Sequence, residues 1–139
     1  MPSTIDTLED DIIKKLTDDA GLDIDVEKFP SRPDRYVLTH SCGVVLVAYP
    51  GSRFQDFGTA GELRVADIMF TVLLRNMRDH EESYAHLEKV VDTMRGYVPS
   101  GFSPMLIESE TFVGEHEGVW QYDIKAKTTG LISRDKVNC

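Results

Sequence analysis

Residue types that carry nucleophilic or metal chemistry occur first at His40-Ser41-Cys42, where an imidazole and a thiol would share one face of a strand. A Cys/His nucleophile pair or half of a zinc site can begin in this way. Zinc needs three or four ligands, however, and the only other cysteine is the last residue, Cys139. The preferred interpretation is a histidine beside a turn and a cysteine buried as a small hydrophobe, with an enzyme built on His40 and Cys42 kept as a remote alternative.

Two acid–histidine clusters, Asp79-His80-Glu81-Glu82 and Glu115-His116-Glu117, could attract a cation. The first lies at a predicted helix start and the second at a predicted hairpin tip, and both positions favour solvated acids for structural reasons alone. The segment Tyr49-Pro50-Gly51-Ser52-Arg53 matches neither a nucleophile elbow nor a phosphate-binding loop. The sequence therefore assigns no catalytic residue, no metal ligand and no cofactor.

Two amphipathic helices are predicted from apolar residues at helical spacing. Ser3-Thr4 precede the first, whose apolar face is followed by Gly21, and this pattern indicates a helix over residues 5–19. Asp79-x-x-Glu82 is a capping pair ahead of the second, which spans residues 80–95 and is closed by Gly96.

The strand predictions rest on alternating or continuous apolar runs. A half-buried strand is expected over residues 22–26, a short extended piece over 36–38 after a turn bracketed by Pro30 and Pro33, and a central strand over 43–49. A loop over residues 50–61 then precedes a long strand over 62–76. The last third is expected to be a hairpin with strands over 105–114 and 119–129, in which Trp120 faces the core.

The resulting order is α-β-β-β-α-β-β, which predicts an α+β fold with a mainly antiparallel sheet and two helices packed on it. The long strand would span roughly 46 Å, more than a typical strand, so it must bulge, bend or project beyond its sheet. With the strand before it, it would form a long β-hairpin arm. Residues 1–139 are expected to form one domain, with residues 131–139 as a flexible tail.

Composition and charge exclude several classes of function. The chain has 139 residues and a formal net charge of −9, and its N-terminal, middle and C-terminal segments carry −5, 0 and −4. Tight binding to a phosphate backbone needs a basic footprint, so DNA or RNA is not expected as a gripped ligand. The longest apolar stretch is far shorter than the ~20 residues of a membrane span. No signal peptide is expected from the acidic N-terminal sequence.

Contact with other proteins is the function that the remaining features favour. Phe54 and Phe57 lie in a glycine-rich loop with Arg53 beside them, and these residue types anchor protein interfaces. Together with Arg64 on the long strand, they form the predicted subunit or tail interface. The alternative is a loop that folds back and buries both rings. A long arm also presents unpaired backbone that a neighbouring subunit could cover by strand addition.

Several blocks of the sequence resemble one protein family. They are Ile5-Asp6-Thr7-Leu8-Glu9-Asp10, Arg35-Tyr36-x-Leu38-x-His40, Gly43-Val-Val-Leu-Val-x-Tyr49-x-Gly51-Ser52-Arg53-Phe54, Phe70-x-Val72-x-Leu74-Arg75-Asn76 and Phe112-Val113-Gly114-Glu115-x-x-Gly118-Val119-Trp120-Gln121-Tyr122. This pattern resembles the small tail proteins of Mu-like phages and prophages, encoded just before the contractile-sheath gene. The resemblance covers nearly the whole chain, and its blocks carry no catalytic signature.

The resemblance implies a tail terminator of the Mu gpK type and a structural rather than enzymatic role. Such a protein closes the growing tail tube as a homo-oligomeric ring, typically a hexamer, and contacts the tail tube protein and the neck proteins. It would assemble in the bacterial host cytoplasm and then reside in the virion tail. An acidic lumen would let DNA pass without specific binding. A head-tail adaptor, or another neck or tail completion protein, is the alternative.

Overall fold

The computed structural model describes residues 3–30, 42–56, 58–75 and 78–133. Its elements follow the predicted order, with a short 3-10 turn over Gly58–Ala60 added between two strands. In chain order they are α1 (Thr4–Asp19), β1 (Asp25–Lys28), β2 (Gly43–Asp56), β3 (Gly61–Arg75), α2 (His80–Met94), β4 (Leu106–His116) and β5 (Val119–Ser133).

The five strands form one sheet in the order β1-β2-β3-β5-β4. The pair β1–β2 is parallel, and the pairs β2–β3, β3–β5 and β4–β5 are antiparallel. The predicted α+β fold with a mainly antiparallel sheet is confirmed. β1 pairs with only the first part of β2, from Val44 to Val47, so it covers only a short length of that strand.

Both helices begin with the predicted polar caps. Ser3 Oγ accepts a hydrogen bond from the backbone N–H of Asp6, and the Asp6 carboxylate accepts one from the Ser3 N–H, which satisfies two of the helix's unpaired donors. Asp79 caps α2 by accepting from the Glu82 N–H at 3.2 Å. Each helix then buries one apolar stripe, which contains Leu8, Ile12 and Leu16 in α1 and Leu87, Val90 and Met94 in α2.

The core lies between these two helical stripes and one face of the sheet. Alternate residues of β3 point into it, and all five are fully buried: Ala66, Ile68, Phe70, Val72 and Leu74. Tyr122, Ile124 and Ala126 of β5 face the same core, as their alternation predicted. Trp120 is only partly buried and packs against the rim of the core. We call this side of the sheet the helix face and the opposite side the outer face.

Two predicted strand boundaries are wrong for identifiable reasons. Residues 22–26 were expected to pair, but Leu22 and Ile24 pack on the core within the turn after α1, and pairing starts only at Asp25. Residues 50–61 were expected to be a loop, but β2 continues to Asp56. A register shift between Ala48 and Gly51 places Pro50 in a bulge, where its missing N–H disrupts no pairing.

The predicted hairpin arm is present, and it is wider than expected. β2 and β3 pair from Gly43 to Asp56, and β5 accompanies β3 to its very beginning, where Ser133 is opposite Gly61. The predicted tail therefore contributes its first three residues, 131–133, to a strand. We call the three-stranded end, residues 51–56, 61–67 and 128–133, the arm.

The prediction that Cys42 is buried is wrong: it is exposed, because burial begins one residue later at Gly43, where β2 starts. Other predictions lie outside the described residues: the turn at Pro33, the extended piece 36–38, His40, Phe57, Asn76 and the tail from residue 134 to Cys139.

Candidate interaction surfaces

The arm exposes apolar side chains on both of its faces. On the helix face, beyond the reach of the helices, Phe54 is 54% exposed and Ile132 is 37% exposed. On the outer face, Leu131 is 55% exposed beside Leu63, its cross-strand partner. These side chains make the arm a candidate surface for contact with other proteins.

A cross-strand pair holds the exposed ring of Phe54 in place. Phe54 lies opposite Arg64 in the β2–β3 ladder, and the guanidinium carbon of Arg64 is 5.5 Å from the ring centroid. Arg64 also donates to Ser52 Oγ and to the Tyr49 hydroxyl, both at 3.2 Å, and these two hydroxyls are themselves in contact. The ring and the cation are therefore presented in a fixed geometry rather than as free side chains.

Arg53 lies on the outer face, in the same part of the arm. Its guanidinium binds the Asp67 carboxylate at 3.0 Å, while its side chain stays 60% exposed. Of the four predicted interface residues, the structure thus brings Arg53, Phe54 and Arg64 together on the arm. It separates them onto two faces, with Arg53 on one and the Phe54–Arg64 pair on the other. Phe57 lies outside the described residues.

A second exposed surface lies at the opposite edge of the sheet, on β4. All of its residues except Ile107 and Gly114 are exposed, and no described strand pairs with its outer edge. Its charged residues apart from His116 are three glutamates, Glu108, Glu110 and Glu115. A groove between β4 and α2 adds further acids, and its charged lining residues are Glu88, Asp92, Glu108, Glu110 and Arg95. Lys127 of β5 lies 3.6 Å from the Glu108 carboxylate, and the other acids leave this edge with a net negative charge.

An aromatic cluster lies at the start of α2 beside β4. The His80 ring is 4.5 Å from the centroid of Trp120 and 5.2 Å from that of Phe112. His80 Nδ1 lies 2.5 Å from the hydroxyl of Tyr122, whose burial raises its pKa. Phe112 and the neighbouring Tyr84 stay nearly half exposed. The first acid–histidine cluster thus places its histidine in a packing role.

The second acid–histidine cluster lies at the β4–β5 turn and is fully exposed. His116 Nε2 is 3.8 Å from Glu117, and the Glu115 carboxylate accepts from the Gly118 N–H at 2.6 Å, which closes the turn. Within residues 3–30, 42–56, 58–75 and 78–133, no group of three or more potential metal ligands comes together.

Sequence reasoning missed parts of both surfaces. Leu131 and Ile132 were assigned to a loose tail, although the β-branched Thr128 and Thr129 before them are a signal that β5 continues. The contacts of His80 with Phe112 and Trp120 join residues more than thirty positions apart, and no local spacing predicts them.

Comparisons with known proteins give one matching family and one solved structure with a similar fold. The model of the Gp37 protein family matches residues 12–137. A chain in the structure "Virion of native gene transfer agent (GTA) particle" superposes with a TM-score of 0.67 at 14% identity, covering 95% of this chain and 100% of that one. No curated protein matches the sequence. Among the described residues, neither helix is long and apolar enough to cross a membrane.

Proposed function

The chain belongs to the Gp37 family of phage proteins, and from this premise we propose that it is a virion structural protein that terminates a tail tube. In this role, copies of the chain form a ring, of six subunits in the Mu-like pattern, on the growing end of the tube. The ring then offers its other side to the neck proteins. The likeness in fold to a chain of a gene transfer agent virion supports a place within a particle.

The arm is the observation that carries the proposal. Its large apolar side chains lie on both faces, so one partner surface cannot cover them all. In a ring, an arm inserted between neighbouring components is covered from both sides. Phe54 and Leu131 are each about half exposed, so completing the burial of each contributes about 1 kcal/mol to assembly.

Charge suits a ring through which a genome passes. The chain carries a formal net charge of −9, and phosphate is repelled by a surface of the same sign. DNA would therefore pass without specific binding. The role needs shape and adhesion rather than chemistry, so the proposal includes no enzymatic activity and no cofactor. Assembly would take place in the cytoplasm of the bacterial host, and the protein would then stay in the virion tail.

The test is electron microscopy of tails made in cells that lack this protein. A terminator stops tube growth, so its loss is expected to give tubes of uncontrolled length, and supply of the wild-type chain in trans restores the normal length. Tails of normal length that fail to join heads would contradict the terminator role and indicate a head-tail adaptor instead.

A double variant separates this role from the enzyme alternative. His40→Ala/Cys42→Ser removes the one imidazole–thiol motif in the sequence. Because the proposed role does not use these groups, we expect tail length and infectivity to match wild type. Defective tails from a variant with an unchanged thermal midpoint would contradict the structural role.

A further inference from the structure

We propose that the β4 edge of each subunit receives the β2 edge of the arm from the next copy of this chain, so that neighbouring sheets join. This inference rests on the proposed ring and names the two surfaces that meet in it. Among the residues that the structure describes, no strand covers either of these two edges. No described strand pairs with the outer edge of β4, and β1 leaves the outer edge of β2 beyond Val47 uncovered.

The strand directions suit this pairing. β2 and β5 run one way through the sheet, and β3 and β4 run the other way. A neighbouring β2 placed beside β4, with its helices on the same side, therefore runs antiparallel to β4 and continues the antiparallel sheet. Because the two edges are different surfaces, the contact is head-to-tail, which is the kind of interface that a closed ring requires.

The positions of the two edges along the sheet give the geometry of the ring. The middle of β4, Thr111, is level with Asp123 of β5, whereas Arg53 of β2 is level with Thr129. If these edges are joined, each copy is displaced from the next by six residues, or about 20 Å, along the strand direction. Across the strands, the same step covers four strand spacings of about 4.8 Å each. The strands then incline by roughly 45° to the ring axis, at the upper end of the tilt found in closed barrels.

Charge disfavours a second β4 as the occupant compared with the β2 edge. Two β4 edges facing each other would bring six glutamates onto one two-stranded ribbon, beside grooves that are also acidic. The β2 edge of the arm, residues 51–56, instead carries one base, Arg53, and one acid, Asp56, so it adds no net charge to the ribbon. On the helix face, Phe54 of the incoming arm would meet the side that carries the half-exposed Phe112.

The experiment uses cysteine pairs in assembled particles. In a Cys42→Ser/Cys139→Ser background, Gln55→Cys marks the β2 edge and Thr111→Cys marks the β4 edge, and both residues are exposed on the outer face. The two variants are supplied together to cells that lack the resident copy, and the particles are treated with a short bismaleimide. We expect cross-links only between a Gln55→Cys subunit and a Thr111→Cys subunit, and a ladder of covalent oligomers when one chain carries both.

Matched controls make each outcome decisive. Thr17→Cys on α1, also exposed, is expected to give no cross-link with Gln55→Cys, and Ser109→Cys replaces Thr111→Cys if that variant has a lowered thermal midpoint. Thr111→Cys cross-linked to itself would overturn the inference in favour of a two-fold contact. Particles that contain the protein but give no cross-link would also overturn the inference. The glutamates of β4 would then serve only to keep its edge from pairing with another strand. Particles without the protein would refute the ring and this inference together.

Discussion

The two ends of the β2–β3 pair have the same backbone pairing but opposite surroundings. At the end under the helices, Val45, Val47, Phe70 and Val72 are fully buried. In the arm, where no helix covers the sheet, Phe54 is more than half exposed. The same ribbon therefore contributes to the core at one end and leaves a large apolar side chain exposed at the other.

Two glycines of β2 have nearly the same backbone conformation but differ in the space around them. Gly43 has φ +155°, and a Cβ added there would lie 2.3 Å from the carbonyl oxygen of Leu73. Gly51 has φ +156°, and a Cβ there would meet nothing within 4 Å. β2 is therefore closely packed around its backbone at the covered end and has open space around Gly51 in the arm.

The largest expected effect comes from removing the aromatic side chain of Phe70 at the centre of the covered end. Phe70→Ala removes a fully buried side chain and leaves a cavity, so we expect it to lower the free energy of unfolding by about 3–5 kcal/mol. Phe54→Ala, the matched change in the arm, is expected to cost about 1 kcal/mol or less, mostly through its contact with Arg64. Denaturant unfolding of both variants measures the difference, and equal losses would contradict the comparison.

A smaller effect is expected from the two glycines. Gly43→Ala forces backbone to move away from the Leu73 oxygen, so it should cost about 2–3 kcal/mol. Gly51→Ala has only its backbone conformation to oppose it and should cost about 1 kcal/mol. Thermal midpoints of the two variants test this order, and a larger loss at Gly51 would show that the arm is packed as tightly as the covered end.

The arm is expected to matter for assembly while contributing little to folding. Arg53→Ala/Phe54→Ala should change the free energy of unfolding by about 1 kcal/mol. The same variant should reduce incorporation into tails at least tenfold, because it removes an anchor residue and a cation from the contact. Val98→Ala, which truncates another exposed apolar residue away from the arm, is the matched control and should leave incorporation unchanged. Normal incorporation of the double variant would refute a contact through these residues.

The smallest effect concerns a histidine–carboxylate hydrogen bond that links α2 to the turn after α1. His86 Nε2 lies 3.0 Å from the Asp23 carboxylate, and this hydrogen bond lowers the pKa of Asp23 from its usual 3.8. The pKa of Asp23 is lower in the folded chain than in the unfolded chain. The hydrogen bond therefore stabilises the fold at pH values above 3.8, and this stabilisation is lost as the pH falls through the lowered pKa of the folded chain. For so exposed a carboxylate we expect at most about 1 kcal/mol.

Asp23→Asn is the variant that tests this pair. Its deficit relative to wild type should be greatest near neutral pH and should vanish as the pH falls below the usual carboxyl range. Asp92→Asn, an exposed acid on α2, serves as the control and should follow wild type at all pH values. A deficit of Asp23→Asn that grows towards acid pH would show that the sign of the coupling is wrong.

The helices and the order of elements could be predicted from the sequence because local signals set them. Ser3 and Asp79 are caps whose partners lie three residues away, and apolar spacing marks the buried stripes. The extent of the strands could not be predicted, because pairing between distant segments determines it. Pro50 and Gly51 indicate a loop by local rules, yet the β3 ladder extends β2 through them as a bulge.

The sequence indicated which residue types would form the candidate surfaces, but it did not indicate how those residues are arranged. Arg53 and Phe54 were identified as interface residues by their chemistry, and the exposure of both agrees with that prediction without testing it. Their separation onto two faces follows from the β2–β3 register, which the sequence does not state. The acidic β4 edge was not recognised, because an edge exists only once the strand order is known.

The most direct test of the central claim is a cryo-electron-microscopy reconstruction of the head-proximal end of purified tails. The account predicts a ring of copies of this chain at that end, with the arm of each subunit inserted against the next and the Phe54 ring removed from solvent. A tail end without this chain, or a ring in which every arm projects freely into solvent, would contradict it.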